Sequence, residues 1–219
     1  MSEAADFLYP FLEADEHDAA ALLDDLEQSA EAKAHASAAL RATTLHESRA
    51  AIDEAAADMS DRFNRGGRLL AFGNGGSATD ASSIAALFTH PPHGYALAAR
   101  ALADDPSVLT ALGNDVGFDL VFSRQVIAHG RAGDIALGYS TSGNSRNLLA
   151  AFAEAAGRGL LTIGLAGYDG GDMARSEHVQ HCLVVRSDSV HRIQEVQAAL
   201  GYALWATIQD ELTSAIQHG

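Results

Sequence analysis

Two short polar segments hold the residues whose types and spacing suit chemistry. The first, Gly73-Asn74-Gly75-Gly76-Ser77, directly follows an apolar run ending at Phe72 and directly precedes a helical pattern. Its glycines leave backbone N–H groups accessible and Ser77 adds a hydroxyl at what reads as a helix N-terminus, where an anion is welcome. The second, Ser140-Thr141-Ser142-Gly143-Asn144-Ser145, follows Tyr139 and also precedes a helical pattern. Its four hydroxyl groups around one glycine suit the three oxygens of a phosphate group. Neither segment supplies a nucleophile with a base beside it. After the first cradle the chain offers Asp80, expected in the first helical turn where it would interact favourably with the helix dipole. Ser82, Ser83, Ile84 and Leu87 follow, with no further acid, base or metal ligand. The same residue types also cap helices and make turns. Two such loops on one sheet edge favour binding of an anionic ester.

The elements that must position these loops follow from hydrophobic periodicity. Residues 18–65 are rich in Ala, Glu and Asp; Leu22, Leu23, Leu26 and Ala30, then Ile52, Ala56, Met59 and Phe63, recur at helical spacing, so two helices are predicted. After Gly66-Gly67 short apolar runs take over. Leu69 to Phe72, Tyr95 to Ala99, Ile135 to Tyr139, Leu161 to Leu165 and Cys182 to Val185 read as strands. Helices are predicted near residues 77–89, 116–129, 145–157 and 191–215. Strands alternating with helices imply an α/β fold, a parallel sheet of about five strands flanked by helices. Ligands of such sheets gather at the carboxyl ends of strands, where both polar loops fall.

Composition narrows the function. At 219 residues and 47% hydrophobic content the chain can bury a full core. A formal net charge of −15, with only 14 Lys and Arg scattered along the sequence, argues against nucleic acid and anionic membrane as partners. Cys182 is the single cysteine, which excludes an intramolecular disulfide and a multi-thiolate zinc site and reads as a small strand residue in a reducing compartment. The stretch Met1 to Asp18 is acidic where a signal peptide would be basic, and no apolar run reaches spanning length, so a cytoplasmic protein is expected. A dinucleotide fingerprint is the rival motif, since Gly73-x-Gly75-x-x-Ala78 follows a strand and Asp104 or Asp105 could meet a ribose. Asp105 lies beyond the usual spacing, and a dinucleotide site has no need of the later hydroxyl cluster.

The stretches "GNGGSATD", "LGNDVGFDLVFSRQV", "STSGNSRNLLAAF", "GYDGGDMA" and "RIQEVQ" together resemble the sugar isomerase (SIS) domain family. In order and spacing they resemble its phosphoheptose isomerase branch, over roughly residues 45–212. The resemblance implies a flavodoxin-like sheet, an N-terminal helical extension over residues 1–44 serving an oligomer interface, an SIS domain over 45–219, and a homotetramer. It implies a phosphorylated sugar such as a heptose 7-phosphate as ligand. Carried over by position, Asn74, Ser77, Ser140, Thr141, Ser142 and Ser145 would bind it, the last four at the phosphate, with Gly75 in the same cradle and Asp105 and Gln194 nearby.

The sequence departs from that pattern where the family does its chemistry. Isomerases of this kind place a His and a Glu four apart on the helix after the first cradle and another His on the last helix. With the Gln of RIQE these hold zinc, and the Glu and distal His pass the proton. The matching positions here are Ser83, Leu87 and Tyr202, and only Gln194 remains. Moving a hydrogen between carbons beside a carbonyl needs a base and enediolate stabilisation. Leucine supplies neither, and a tyrosine, with an ordinary pKa of about 10, is a poor base. Neither a metal nor another cofactor is expected. The favoured reading is a phosphosugar-binding protein without the zinc-dependent isomerase chemistry, acting in sensing, scaffolding or regulation. One alternative is an active ketose/aldose phosphate isomerase with relocated groups, His191 or Tyr202. Others are a hetero-oligomeric partner of an intact paralogue and a docking protein for another partner. His178 and His181, three apart, read as leading into a strand rather than binding metal. His90 and His93 flank Pro91-Pro92 where the family has substrate-clasping residues. Arg146 and Arg192 stand beside the binding motifs and could neutralise phosphate.

Overall fold

The computed structural model describes residues 19–217; the acidic stretch Met1–Asp18 of the expected extension lies outside the described residues. Among the described residues one sheet contains β1 (Leu69–Gly73), β2 (Ala99–Ala101), β3 (Ile135–Ser140), β4 (Leu161–Gly167) and β5 (His181–Val185). The strand order is β2-β1-β3-β4-β5, and every pairing is parallel. Helices are α1 (Ala19–Glu47), α2 (Arg49–Asn64), α3 (Gly76–Thr89), α4 (Pro106–Asp115), α5 (Val121–His129), α6 (Arg146–Gly157), α7 (Gly171–Arg175) and α8 (Val190–Gln217). The chain divides into two units, with the boundary between Ala39 and Leu40. None of the described helices is long and apolar enough to cross a membrane.

The sheet is covered on both faces, and the alternation along its strands shows how. Leu69, Ala71, Ile135, Leu137 and Tyr139 pack with Met59, Phe88 and Trp205 from α2, α3 and α8. Leu70, Phe72 and Ala136 point the other way, against Phe122, Leu148 and Phe152 from α5 and α6. Every residue of β1, β3 and β4 is therefore buried, as parallel strands between helical layers require. Phe72 lies 5.2 Å from Phe152 and 5.6 Å from Phe122, ring centroid to centroid. Each such buried aromatic contributes about 1.5–3 kcal/mol by removal from water.

Three sequence expectations are corrected. The second strand is Ala99–Ala101, not Tyr95 to Ala99. The Tyr95 backbone is held by the Gln209 amide, with N–H to Oε1 at 2.7 Å and Nε2 to the carbonyl at 3.0 Å, which keeps it on α8 and out of the sheet. The single helix expected over 116–129 begins at Val121, and α4 precedes it. Asp105 caps α4, accepting from Ser107 and Val108, and Pro106 fills its first position, the usual start signal. Finally, α3 begins at Gly76 with no acid in its first turn. Asp80 therefore sits one turn deeper than the dipole reading assumed.

Candidate functional site

The strand order reverses at β1, whose neighbours are β2 and β3. Ligands of open parallel sheets bind at such a switch point, outside the carboxyl ends of the strands. The loops after β1 and β3 are the two polar segments, so the fold places them side by side. In the second loop Ser140 Oγ lies 3.1 Å from Ser145 Oγ and 3.5 Å from Ser142 Oγ. Ser140 Oγ accepts from Gly143 N–H at 3.1 Å, and Ser142 Oγ accepts from Asn144 N–H at 3.2 Å. Ser145 is the N-cap of α6, yet its side chain makes no capping bond. Thr141 is half-buried beside this cluster. Among the described residues no backbone carbonyl accepts from the Arg146 or Asn147 amide, so hydroxyls and helix-end N–H groups converge there without a backbone acceptor between them. That arrangement is chemically suited to an anion.

Neighbouring segments hold the two loops in shape. The Asn74 and Asn147 amides bond reciprocally, at 2.9 and 2.8 Å, across the switch point. The Gly143 backbone sits so close to the β4–α7 turn that a Cβ there would lie 2.1 Å from the Gly170 carbonyl oxygen. Asn144 Oδ1 accepts from Asp172 N–H at 2.8 Å, and the Gly143 carbonyl accepts from Met173 N–H at 2.9 Å. "GYDGGDMA" is thus the wall that shapes the serine loop. From α8 the fully buried Gln197 donates to the Ser140 and Leu165 carbonyls, at 3.2 and 3.0 Å. Asn147 and Gln197 were missed from sequence. Both lie inside the quoted stretches, but a buttressing amide looks like any polar helix residue until its partner is located.

Beside the loops a cavity of about 120 Å³ is lined by Asp80, Ser83, Leu87, Tyr139 and Tyr202, among others. That volume falls below the ~300–1,000 Å³ of whole-ligand pockets, so the cavity alone is too small for a whole sugar phosphate. Asp80 Oδ2 is buried without a hydrogen-bond partner, and burial raises its pKa above the ordinary carboxylate value. The Tyr139 phenol is pushed far up, by burial first and the Asp80 charge second. The donors at the positions implied for zinc do not fit that metal. Ser83, Leu87 and Tyr202 offer hydroxyls and a hydrocarbon, Asp80 is the one carboxylate in the cavity lining, and zinc sites are built from thiolate, imidazole and carboxylate ligands. Among the described residues no three His, Cys, Asp or Glu side chains cluster in a way that could hold a metal.

The remaining candidates fall in several places. The Gln194 amide lies against Gly76 at the start of α3, leaving no room for a Cβ there. Gly75 caps α3 at φ 54°, and Ser77 is buried at the head of that helix. Asp105 is on the ligand edge with its Oδ1 engaged as the α4 cap. Asp104 accepts a hydrogen bond from Ser82 Oγ, so both carboxylates of the dinucleotide reading are already engaged. Tyr202 is 54% exposed over the cavity, its ring 5.3 Å from Trp205. His191 is exposed near the start of α8 and does not line the cavity. His93 packs edge-on against Trp205 at 5.0 Å. His181 opens β5 and bonds Asp58 at 2.7 Å, whereas His178 is exposed. Cys182 is half-buried, its thiol pushed up to about 11 by burial. Neither Arg146 nor Arg192 has an ion-pair partner among the described residues.

A parallel sheet with two serine- and glycine-rich loops at its switch point defines the SIS domain class, and residues 34–167 match the SIS domain family. The chain is 42% identical over 185 residues to the phosphoheptose isomerase of Solidesulfovibrio magneticus, covering 82% of this chain and 87% of that one. It is 43% identical over 166 residues to the phosphoheptose isomerase of Rhodospirillum rubrum, covering 75% and 87% respectively. The solved phosphoheptose isomerase of Neisseria gonorrhoeae superposes with a TM-score of 0.79 at 40% identity, over 84% of this chain and 99% of that one. The chain belongs to the phosphoheptose isomerase family of SIS-domain proteins.

Proposed function

We propose that this chain binds a phosphorylated sugar of the heptose 7-phosphate class in the cytoplasm and does not carry out zinc-dependent isomerisation itself. The single observation behind the reading is the contrast between two adjacent regions. The hydroxyl groups of Ser142 and Ser145 lie 3.5 and 3.1 Å from that of Ser140, beside helix-end amides that have no protein acceptor among the described residues. The neighbouring cavity presents Leu87 and Ser83 where proton transfer would need a base. Phosphate is gripped by Ser140, Thr141, Ser142 and Ser145, and the sugar extends past Asn74, Gly75 and Ser77 toward Gln194, with Asp105 at the rim. The protein then senses or presents the sugar phosphate. Calorimetric titration with sedoheptulose 7-phosphate tests the binding half, and no heat with this or any hexose phosphate sinks it. A proton NMR time course with the same sugar, with and without added zinc, tests the second half. Turnover that requires zinc refutes it.

Asp80 and Tyr202 favour a second reading, an isomerase with relocated groups. A carboxylate oxygen without a partner and a phenol line the same cavity, and together they offer a base and a proton donor. Zinc-independent exchange of solvent deuterium into the sugar, lost in Tyr202→Phe or Asp80→Asn, would establish it. For assembly we propose a homotetramer using the N-terminal helices. Leu23 and Leu26 are 65% and 57% exposed on α1, an apolar surface suited to a second copy. Size-exclusion chromatography with light scattering, alone and after co-expression with an intact paralogue, separates a homotetramer from a mixed assembly.

A further inference from the structure

The cations that look scattered in sequence gather in space. Arg68 immediately precedes β1, and Arg131 stands in the turn between α5 and β3, at the opposite edge of the sheet from the serine loops. Six residues of β3 separate the two edges, roughly 20 Å at the rise of an extended strand. Arg62, Arg65, Arg68 and Arg131 line a cavity of about 340 Å³ together with Asp134, and Arg100 joins Arg68 in an adjoining recess. Five of the 14 Lys and Arg residues of a chain with formal charge −15 are thus concentrated at one end. Gly67 makes this convergence feasible. A Cβ there would lie 2.4 Å from the Gly133 carbonyl oxygen and 2.8 Å from that of Arg62, so only glycine lets the α2–β1 and α5–β3 turns approach this closely.

The charges in the cleft are incompletely matched. Arg68 Nη2 bonds Asp134 Oδ2 at 2.9 Å and the His129 carbonyl at 2.7 Å. Arg65 pairs with Asp61 at 2.8 Å, and Arg62 donates to the Gly159 carbonyl at 3.2 Å. Arg131 has no side-chain partner among the described residues. Four guanidinium groups thus meet two carboxylates, leaving two positive charges facing a concave space. His129 registers the same field, its pKa held below the ordinary value by burial first and by the Arg100 and Arg68 charges next. The cavity is of small-molecule size, and planar guanidinium forks match the paired oxygens of phosphate.

We propose that this cleft is an anion site, separate from the serine loops, for a small phosphate-bearing molecule carrying two or more negative charges. Four arginines around a cavity of that volume are far too confined a surface for a nucleic acid duplex, and the acidic remainder of the chain would repel one.

The test is calorimetric titration of the full chain with inorganic phosphate and with pyrophosphate in low-salt buffer. Three proteins are compared: the native chain, Arg65→Gln/Arg131→Gln, and Ser142→Ala/Ser145→Ala. The arginine pair avoids Arg68, whose bond to buried Asp134 is structural. Pyrophosphate should bind the native chain and the serine variant alike, and at least about tenfold more weakly to the arginine variant, the effect of one lost charge-assisted hydrogen bond. Arg65→Lys/Arg131→Lys should recover part of that loss, and raising the salt should weaken native binding steeply. Should the double variant fail to fold, Arg131→Gln alone is read the same way. Equal binding by native and arginine variants, binding removed by the serine variant alone, or no binding by the native chain would overturn the proposal.

Discussion

The side-chain amides of Asn74 and Asn147 bond each other twice, at 2.9 and 2.8 Å, across the point where the strand order reverses. Asn147 is 3% exposed, so Asn74→Ala strands a buried amide and should cost about 1–3 kcal/mol. A domain of this length loses about 2–4 °C of Tm per kcal/mol, which differential scanning calorimetry resolves easily. Asn147→Ala should behave similarly, and the double variant should lose less than the sum because the two changes remove the same pair. Strict additivity would mean that the link contributes nothing.

The serine loop separates stability from affinity. Ser140 Oγ accepts the Gly143 amide, whereas Ser145 Oγ, despite its N-cap position, caps nothing. Ser145→Ala gives up only its 3.1 Å contact with Ser140 Oγ, so it should lower Tm less than Ser140→Ala while weakening sedoheptulose 7-phosphate binding by roughly tenfold, one lost charge-assisted hydrogen bond. Ser140→Ala should lower both. Measuring Kd and Tm on the same samples tests the split, and an unchanged Kd for Ser145→Ala would remove that hydroxyl from the phosphate grip.

Glycines at two turns predict different sensitivities. At Gly171, φ is 57° and a Cβ would sit 2.5 Å from the Ser142 carbonyl oxygen and 2.6 Å from Asn144 Oδ1. At Gly133, φ is 93° but a Cβ would meet nothing. Gly133→Ala carries backbone strain alone, of order 1–3 kcal/mol. Gly171→Ala adds steric displacement of the serine loop. Only the latter should also abolish sugar-phosphate binding in thermal-shift assays.

The sheet was legible in the sequence because β1, β3 and β4 are predominantly apolar runs, the pattern that burial on both faces demands. The second strand was not. Its run from Tyr95 looked like a strand, but Gln209, more than 100 residues downstream, holds that backbone instead. Helix α4 was legible and overlooked, since Asp105-Pro106 is a helix start. At the site, the hydroxyl loops could be read from residue type because phosphate recognition uses short donors close together in sequence. The buttresses could not, because Asn147 and Gln197 act on segments remote in sequence. Asp80 was expected in the first helical turn, but the helix begins at Gly76 with no acid in that turn, and Asp80 lines the cavity instead.

That carboxylate sets a pH dependence. Burial raises the folded-state pKa of Asp80 above its unfolded value, so between the two values the folded chain binds more protons than the unfolded one. Stability linked to this group is then fully present below the unfolded pKa and is lost as pH rises through the folded pKa, because ionisation in the cavity opposes desolvation. Asp80→Asn keeps the shape and removes the titration. Its Tm relative to the native protein should therefore be higher at pH 8 than at pH 4, with the difference growing from just above the ordinary carboxylate range. Buried Asp134 remains in both proteins and accepts from the Arg68 and Arg131 amides and the Arg68 guanidinium, so its contribution cancels. A set of melting curves from pH 4 to pH 8 decides the matter. Parallel native and Asp80→Asn profiles would mean that the cavity does not perturb Asp80.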